Sequence, residues 1–232
     1  MPPAPATSAD LDPSRKEYFQ SKYDDRQALS YYEKHHAGIG RRISNWREMA
    51  MVRAALKRAG NPASVLDIPC GTGRFWPLLG ETTGRKIFAS DLNHPMLRTG
   101  LQFRGEQIVS RVKGFQSSVF RIPFRDNAVE AIVSIRLLHH FSDRADRLNI
   151  LKEMARVSSR SVIVTLWVGG NWKARRLVKR NHREPARRSR DRFVVGRGEI
   201  ESEFKQAGLS VVDCVHFLKF YSMWAAYVLR KD

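Results

Sequence analysis

The stretch Ser64–Phe75, SVLDIPCGTGRF, sets an acid at the end of an apolar run and follows it with a glycine turn. Val65, Leu66 and Ile68 suit a buried strand. In Pro69-Cys70-Gly71-Thr72-Gly73 two glycines remove Cβ atoms and let the backbone come close to a ligand. The turn's N–H groups, with the helix expected from Arg74 to Leu79, favour a negative or hydrogen-bond-accepting group. A second acid, Asp91, follows the apolar run KIFAS, 24 residues after Asp67. A carboxylate there can accept hydrogen bonds from both hydroxyls of a ribose, or it can serve the helix that starts near Asn93. The two acids and the turn together point to a nucleoside-bearing ligand. The dinucleotide fingerprint G-x-G-x-x-G is not met, because Trp76 stands where its third glycine would be.

A third group of candidates is Arg136–Phe141, RLLHHF, which follows the apolar run around Val129–Ile135. Ligands of doubly wound sheets sit beyond the carboxyl ends of the strands. A histidine there can act as a base near neutral pH, orient a substrate, or simply cap the next helix. Of the pair, His140 lies nearer the loop tip and is the preferred base, with His139 beside it. The two cysteines, Cys70 and Cys214, form no C-x-x-C or clustered set, which argues against a structural zinc or a disulfide framework. Cys70 is expected to be a small packing residue.

The elements that must position these residues alternate. A helix over about 18–36 carries Tyr23, Tyr31, Tyr32, His35 and His36 as a candidate pocket wall, and Gly38 and Gly40 end it. A second helix, about Ser44–Ala59, places Ile43, Trp46, Met49, Ala50, Val52, Ala54 and Leu56 on a broad apolar face and stops at Gly60-Asn61-Pro62. Strands are expected at Lys86–Ser90, Ile108–Phe115, Val129–Ile135, Ser161–Val168, Ser210–Leu218 and Met223–Arg230. Helices are expected at Asn93–Phe103, from a cap at Ser142 or Asp143 to Val157, and at Gly198–Ala207. Such alternation implies a mostly parallel sheet with helices on both faces.

The 232-residue length suits one domain, with residues 1–17 a disordered tail and 18–232 the folded unit. Lys and Arg number 41 against 23 Asp and Glu, for a net charge of +18. The balance favours a polyanionic neighbour: nucleic acid, an anionic membrane face or a phosphorylated substrate. Ten of the twenty residues in 173–192 are Lys or Arg, and the run reads as an exposed basic insertion between the fifth and sixth strands. RNA readers usually add aromatic stacking residues among the basics. Only Trp172 and Phe193 flank this run, which tilts the expectation toward an anionic small molecule or a membrane face. The first residues lack a signal-peptide core, and no apolar run approaches the roughly 20 residues of a membrane span. A cytoplasmic protein, at most peripheral at a membrane, is expected.

In order, these landmarks resemble the class I S-adenosylmethionine-dependent methyltransferases, of the small-molecule, type 11-like kind. Asp67, Pro69, Gly71 and Gly73 follow the family's D-x-G-x-G-x-G register, with proline at the first glycine. Gln116–Ile132 resembles its "acid, Ala, x, x, Leu-Pro-Phe" signature through Ile122-Pro123-Phe124, with Ser118 where the acid usually stands. RLLHHF resembles its Leu-His-His segment. The resemblance implies a Rossmann-like α/β fold: a doubly wound seven-stranded sheet ordered 3-2-1-4-5-7-6, the last strand antiparallel, with an N-terminal helical lid. It implies S-adenosylmethionine as cofactor. Asp67, Pro69, Gly71 and Gly73 would lie at its amino acid part, Asp91 at the ribose, and Leu92, Met96, Ser118 and Val119 at the adenine. His140 and His139 would stand near the methyl group. The Asn/Asp-Pro-Pro-aromatic segment of adenine and amide N-methyltransferases is absent, and Pro69-Cys70 is in the wrong place for a cytosine C5 nucleophile. Three readings stay open: a methyltransferase for a small anionic or membrane-associated acceptor, an RNA methyltransferase using the basic face, and a catalytically silent binding protein of the same fold.

Overall fold

The computed structural model describes residues 24–34, 38–183 and 193–232. The expected tail 1–17, the residues Tyr23, His35 and His36, and the part of the basic run over 184–192 lie outside them. Among the described residues two helices come first, α1 (Asp25–Lys34) and α2 (Ile39–Arg58), then β1 (Ser64–Asp67), α3 (Trp76–Leu79), β2 (Lys86–Asp91), α4 (His94–Phe103), α5 (Glu106–Val109), β3 (Val112–Gln116) and β4 (Val129–Ser134). A 3₁₀ turn (Leu138–His140) leads to α6 (Arg144–Val157), β5 (Ser158–Trp167), α7 (Trp172–Arg183), α8 (Arg197–Gln206), β6 (Leu209–His216) and β7 (Trp224–Lys231). The strands form one seven-stranded sheet, ordered β3-β2-β1-β4-β5-β7-β6. β1 to β5 are parallel, and β7 runs antiparallel between β5 and β6. The Rossmann-like order implied by the resemblance is therefore the order found.

The sheet is covered on both faces because its central strands are apolar on both. In β1, Leu66 joins the core with α6 and α8 (Leu151, Met154, Phe204), while Val65 joins the core with α2 and Trp76. The same alternation divides Val162 and Val164 from Ile163, and Tyr227 from Val228. Caps fall where side-chain chemistry puts them. Asn93 accepts from the Met96 N–H at the start of α4, and Asp143 accepts from Ala145 N–H at the start of α6.

Three expectations about elements change. Ile108 and Val109 belong to the short helix α5, which Gly105 starts at φ 79°, so the third strand begins only at Val112. Gly40 does not break a helix; α2 opens at Ile39, with Gly38 at φ 78° before it. The buried face of α2 is also displaced from the one expected. Ile43 and Trp46 are 60% and 65% exposed, while Glu48, Met51, Val52, Ala55 and Leu56 are buried. A carboxylate thus heads the inward stripe, and the reason lies in what faces it.

Candidate active site

A pocket of about 580 Å³ opens at the carboxyl ends of β1, β2 and β4. Its floor is the turn after β1. Cys70 N–H donates to the Ser90 carbonyl (2.8 Å) and Gly71 N–H to a carboxylate oxygen of Asp91 (2.8 Å), which ties the turn to the end of β2. The Ile68–Pro69 peptide is cis. Gly71 has φ 54° and Gly73 φ 66°, the left-handed region that favours glycine. Their surroundings differ. A Cβ on Gly73 would stand 2.5 Å from the buried Trp76 indole, so this glycine admits the tryptophan beneath the turn. A Cβ on Gly71 would meet only the Met96 methyl, at 3.6 Å, and Gly71 itself lines the pocket.

The pocket brings together most of the residues singled out in the sequence. Pro69, Gly71, Asp91, Leu92, Met96, Ser118, Val119, His139 and His140 all line it. Asp67 and Gly73 lie behind this wall. The two acids are electrostatically distinct. Burial pushes the Asp91 carboxyl up to about 6, against the lowering effect of N–H groups from Asn93, Gly71 and Leu92. One of its oxygens accepts from Gly71 N–H and the other from Asn93 N–H (2.8 Å), which leaves each with acceptor capacity. Asp67 is wholly buried, and among the described residues no donor meets either of its oxygens in hydrogen-bond geometry. Burial first, and the Asp91 charge second, push its carboxyl well above the usual range, although the Trp76 indole and Arg74 act the other way. A buried carboxylate in want of a donor, a ribose-ready carboxylate and a turn open at Gly71 fit the amino acid and nucleoside ends of S-adenosylmethionine. Ser118 lines the pocket, its hydroxyl oxygen accepting from Phe120 N–H at 3.2 Å. The Cys70 thiol is held well above its ordinary pKa, by burial and then by Asp91 and Asp67, which agrees with a packing role.

Burial divides the histidine pair. His139 is buried, its ring stacked on Trp167 (5.3 Å, 18°) and set edge-on to Trp224 (4.9 Å, 80°). Its carbonyl accepts from Phe193 N–H (2.7 Å). His140, 4.2 Å from it between ring centres, is only partly buried and meets the pocket from the loop.

On the other side of the pocket, sequence reading names Tyr31 and Arg136 but does not single out Glu48, Arg41 or Trp224. Glu48 of α2 accepts from Arg74 (2.5 Å) and, through both oxygens, from Arg136 (2.8 and 2.7 Å). Burial alone would raise its carboxyl, but the two guanidiniums outweigh it and hold the carboxyl below its ordinary value. Arg136 has φ 63°, its N–H donates to the Thr165 hydroxyl (2.8 Å), and its guanidinium lies 5.3 Å from the Trp224 ring centre. Tyr31 and Arg41, from the N-terminal helices, complete this side, as expected of a helical lid. A lone acid three and four residues ahead of Met51 and Val52, on the stripe that continues to Ala55, is the available signal for Glu48. No local pattern marks Trp224 or its contact with Arg136.

A family of methyltransferase domains matches this chain over residues 66–165, from within β1 to within β5. A human protein named "Probable tRNA methyltransferase 9B" is 31% identical over 110 residues, which are 46% of this chain and 21% of that protein. The tRNA (carboxymethyluridine(34)-5-O)-methyltransferase of Arabidopsis thaliana is 25% identical over 128 residues, 54% of this chain and 28% of that protein. The chain therefore covers 21% and 28% of the lengths of these two relatives. Among solved structures, magnesium protoporphyrin IX methyltransferase from Synechocystis PCC 6803 with bound SAH superposes with a TM-score of 0.72 at 14% identity, over 94% of this chain and 99% of that one. Strand order, the turn after β1 and the matched segment agree: residues 66–165 match a methyltransferase domain, and the fold around them is that of the solved methyltransferase.

Proposed function

We propose that this domain methylates a nucleoside in RNA, with transfer RNA as the substrate class. The observation that carries this reading is the likeness of nearly half the chain to proteins named as tRNA methyltransferases. The charge of +18 supports it, since a polyanion is the acceptor that such a surface collects. The acceptor side of the pocket supports it too. Trp224, Tyr31, Arg136 and Arg41 offer aromatic faces and cations together, which suits a flat base on a phosphate backbone better than a small anion alone.

In this reading Asp91 accepts from the ribose hydroxyls and Asp67 meets the ammonium of the amino acid part, directly or through water. The Pro69–Gly73 turn passes along that part, while Leu92, Met96, Ser118 and Val119 enclose the adenine. When bound, S-adenosylmethionine supplies an electrophilic methyl on a sulfonium. His140 takes the proton that the acceptor's O–H, N–H or C–H gives up as the new bond to methyl forms. His139, locked between two tryptophans, holds His140 and the loop in place. Positioning is the larger share of the catalysis, and a general base adds about 10²- to 10⁴-fold.

The test is to incubate the full chain with methyl-labelled cofactor and total tRNA, digest the RNA to nucleosides and look for label. Label in a nucleoside, lost in His140→Gln with cofactor affinity retained, is the expected result. Label found only in a small-molecule or lipid extract would overturn the RNA acceptor in favour of a small anionic or membrane-associated one. Cofactor binding with no labelled product in any extract would point to a silent binding protein.

A further inference from the structure

The basic run has no aromatic residue inside it, yet the fold supplies three. The turn between β6 and β7 folds back onto the first turn of α7, where Trp172 N–H donates to the Phe220 carbonyl (3.0 Å) and Lys173 N–H to the Tyr221 carbonyl (3.2 Å). Segments almost fifty residues apart in the chain thus form one surface. On it Trp172 and Tyr221 are stacked, ring centres 5.4 Å apart and planes 13° from parallel. Each ring carries a cation: Arg176 is 5.2 Å from the Trp172 centre, Lys173 is 5.1 Å from Tyr221, and Lys219 is 5.2 Å from Phe220. The rings remain open to solvent, with Phe220 79%, Trp172 51% and Tyr221 45% exposed. Neither 168–177 nor 217–223 contains an acid.

We infer that this platform is a docking surface for a single-stranded stretch of RNA beside the pocket, an inference that rests on the RNA reading above. Three aromatic faces with three cations among them, and no opposing charge, are the combination that holds unpaired bases and their phosphates. The place is also right. Tyr221 is three residues before Trp224, which lines the pocket, so their Cα atoms lie within about 11 Å. Trp224 pairs with Trp167 across β7 and β5, and α7 starts five residues after Trp167, so both halves of the platform issue from the strand ends that build the acceptor side. A loop of RNA stacked here would present its next base toward His140. An anionic membrane is the competing occupant. It too would use cations beside apolar tips, but it has no use for the near-parallel stack of Trp172 and Tyr221 with a cation at each ring, which suits flat bases.

The test measures binding of the full chain to a fluorescein-labelled single-stranded 15-nucleotide RNA and to total tRNA over a range of salt. Phe220→Ala and Trp172→Ala are each expected to weaken both by about 5- to 150-fold, with unfolding temperature and cofactor affinity retained. Phe220→Trp is expected to restore binding, which a merely structural role would not predict. Replacing Lys173, Arg176 and Lys219 together by Gln is expected to lower the slope of log K against log salt by about 2, near 0.7 for each phosphate that is no longer neutralised. If wild type binds and methylates RNA while these variants bind it equally well, the platform is overturned and the RNA reading stands. If wild type neither binds nor methylates RNA, both fall. Sedimentation with phosphatidylcholine–phosphatidylserine vesicles that is lost in Phe220→Ala, with RNA binding untouched, would overturn the inference in favour of a membrane.

Discussion

Two buried arginine–glutamate clusters sit on opposite faces of the sheet, and they are built in inverse proportion. On the face covered by α6 and α8, one arginine serves two acids. Arg147 donates to both oxygens of the buried Glu203 (3.0 and 2.6 Å) and to Glu199 (2.6 Å), and caps the carbonyls of Phe141 and Ser142. At the pocket, one acid serves two arginines, Glu48 with Arg74 and Arg136. The first cluster joins two helices, with the half-exposed Arg144, 4.0 Å from Glu203, as a more distant cation. The second joins α2 to the loops after β1 and β4 and leaves a positive excess at the pocket wall. The same pair chemistry thus staples a core in one place and shapes an electrostatic wall in the other.

The largest expected effect is that of Glu48→Gln. Removing the shared carboxylate leaves two desolvated guanidiniums, which costs about 3–5 kcal/mol of stability. It also frees the loops that carry Arg74 and Arg136, so cofactor affinity falls by about tenfold or more, ~1.4 kcal/mol at least. Calorimetry and thermal unfolding read both. Because the folded Glu48 carboxyl titrates below its ordinary value, its stabilisation is full above that value and is lost as pH falls through the folded one. Glu48→Gln removes that part of the acid branch.

Arg147→Met comes next, with a similar loss of about 3–5 kcal/mol because Glu203 is left buried with no cation closer than Arg144, at 4.0 Å, among the described residues. Here the folded protein's cofactor affinity should stay within about twofold. The double variant Arg147→Met/Glu203→Leu should recover at least half of the stability, since apolar isosteres of a buried pair are often neutral or better. A cofactor defect in Arg147→Met as large as that of Glu48→Gln would erase the distinction between the clusters.

The same contrast shows where the sequence is legible. Alternating apolar runs and caps mark nearly every strand and helix, because burial on both faces writes continuous hydrophobic stretches such as SVIVTLWV. The turn after β1, Asp91 and the histidine pair are legible because each sits at a fixed place beyond a strand end. Glu48 and Arg136 stand 88 residues apart, and the pattern of α2 predicts its apolar residues inward and its charges out. Two loop arginines reverse that preference locally by pairing with the acid, and Ile43 and Trp46 turn to solvent instead. The aromatic partners of the basic helix are hidden for the same reason, since Phe220 and Tyr221 reach it only through the β6–β7 turn.

A smaller effect separates the two ways a carboxylate can be perturbed. Asp91 is shifted oppositely to Glu48, up to about 6, because burial outweighs the backbone N–H groups it accepts from. The folded state then holds this proton more tightly than the unfolded chain does. Stability declines as pH rises between about 4 and 6 and levels off above, by up to about 3 kcal/mol for this group. Cofactor affinity should run the other way, rising as the carboxylate forms and accepts the ribose hydroxyls. Titration calorimetry at pH 5, 6 and 7.5 should show that rise in wild type. Asp91→Asn should bind about 10- to 150-fold more weakly at pH 7.5, the worth of hydrogen bonds to a charged group, with a smaller rise in affinity between pH 5 and 7.5 than wild type shows.

The smallest effect is the most exacting control on the comparison. Arg53 holds Glu81 through two hydrogen bonds of 2.7 and 2.5 Å, a fork as close as the one between Arg136 and Glu48. Both partners are about half exposed, so water screens them and competes for them. Glu81→Gln should cost less than about 1 kcal/mol, a fall of at most about 2–4 °C in unfolding temperature for a chain of this size, and less still in high salt. If geometry set the energy, this fork would be worth as much as the buried one. A loss in Glu81→Gln comparable to that in Glu48→Gln would mean that burial does not set the worth of these pairs, and the reading of both buried clusters would have to be rebuilt.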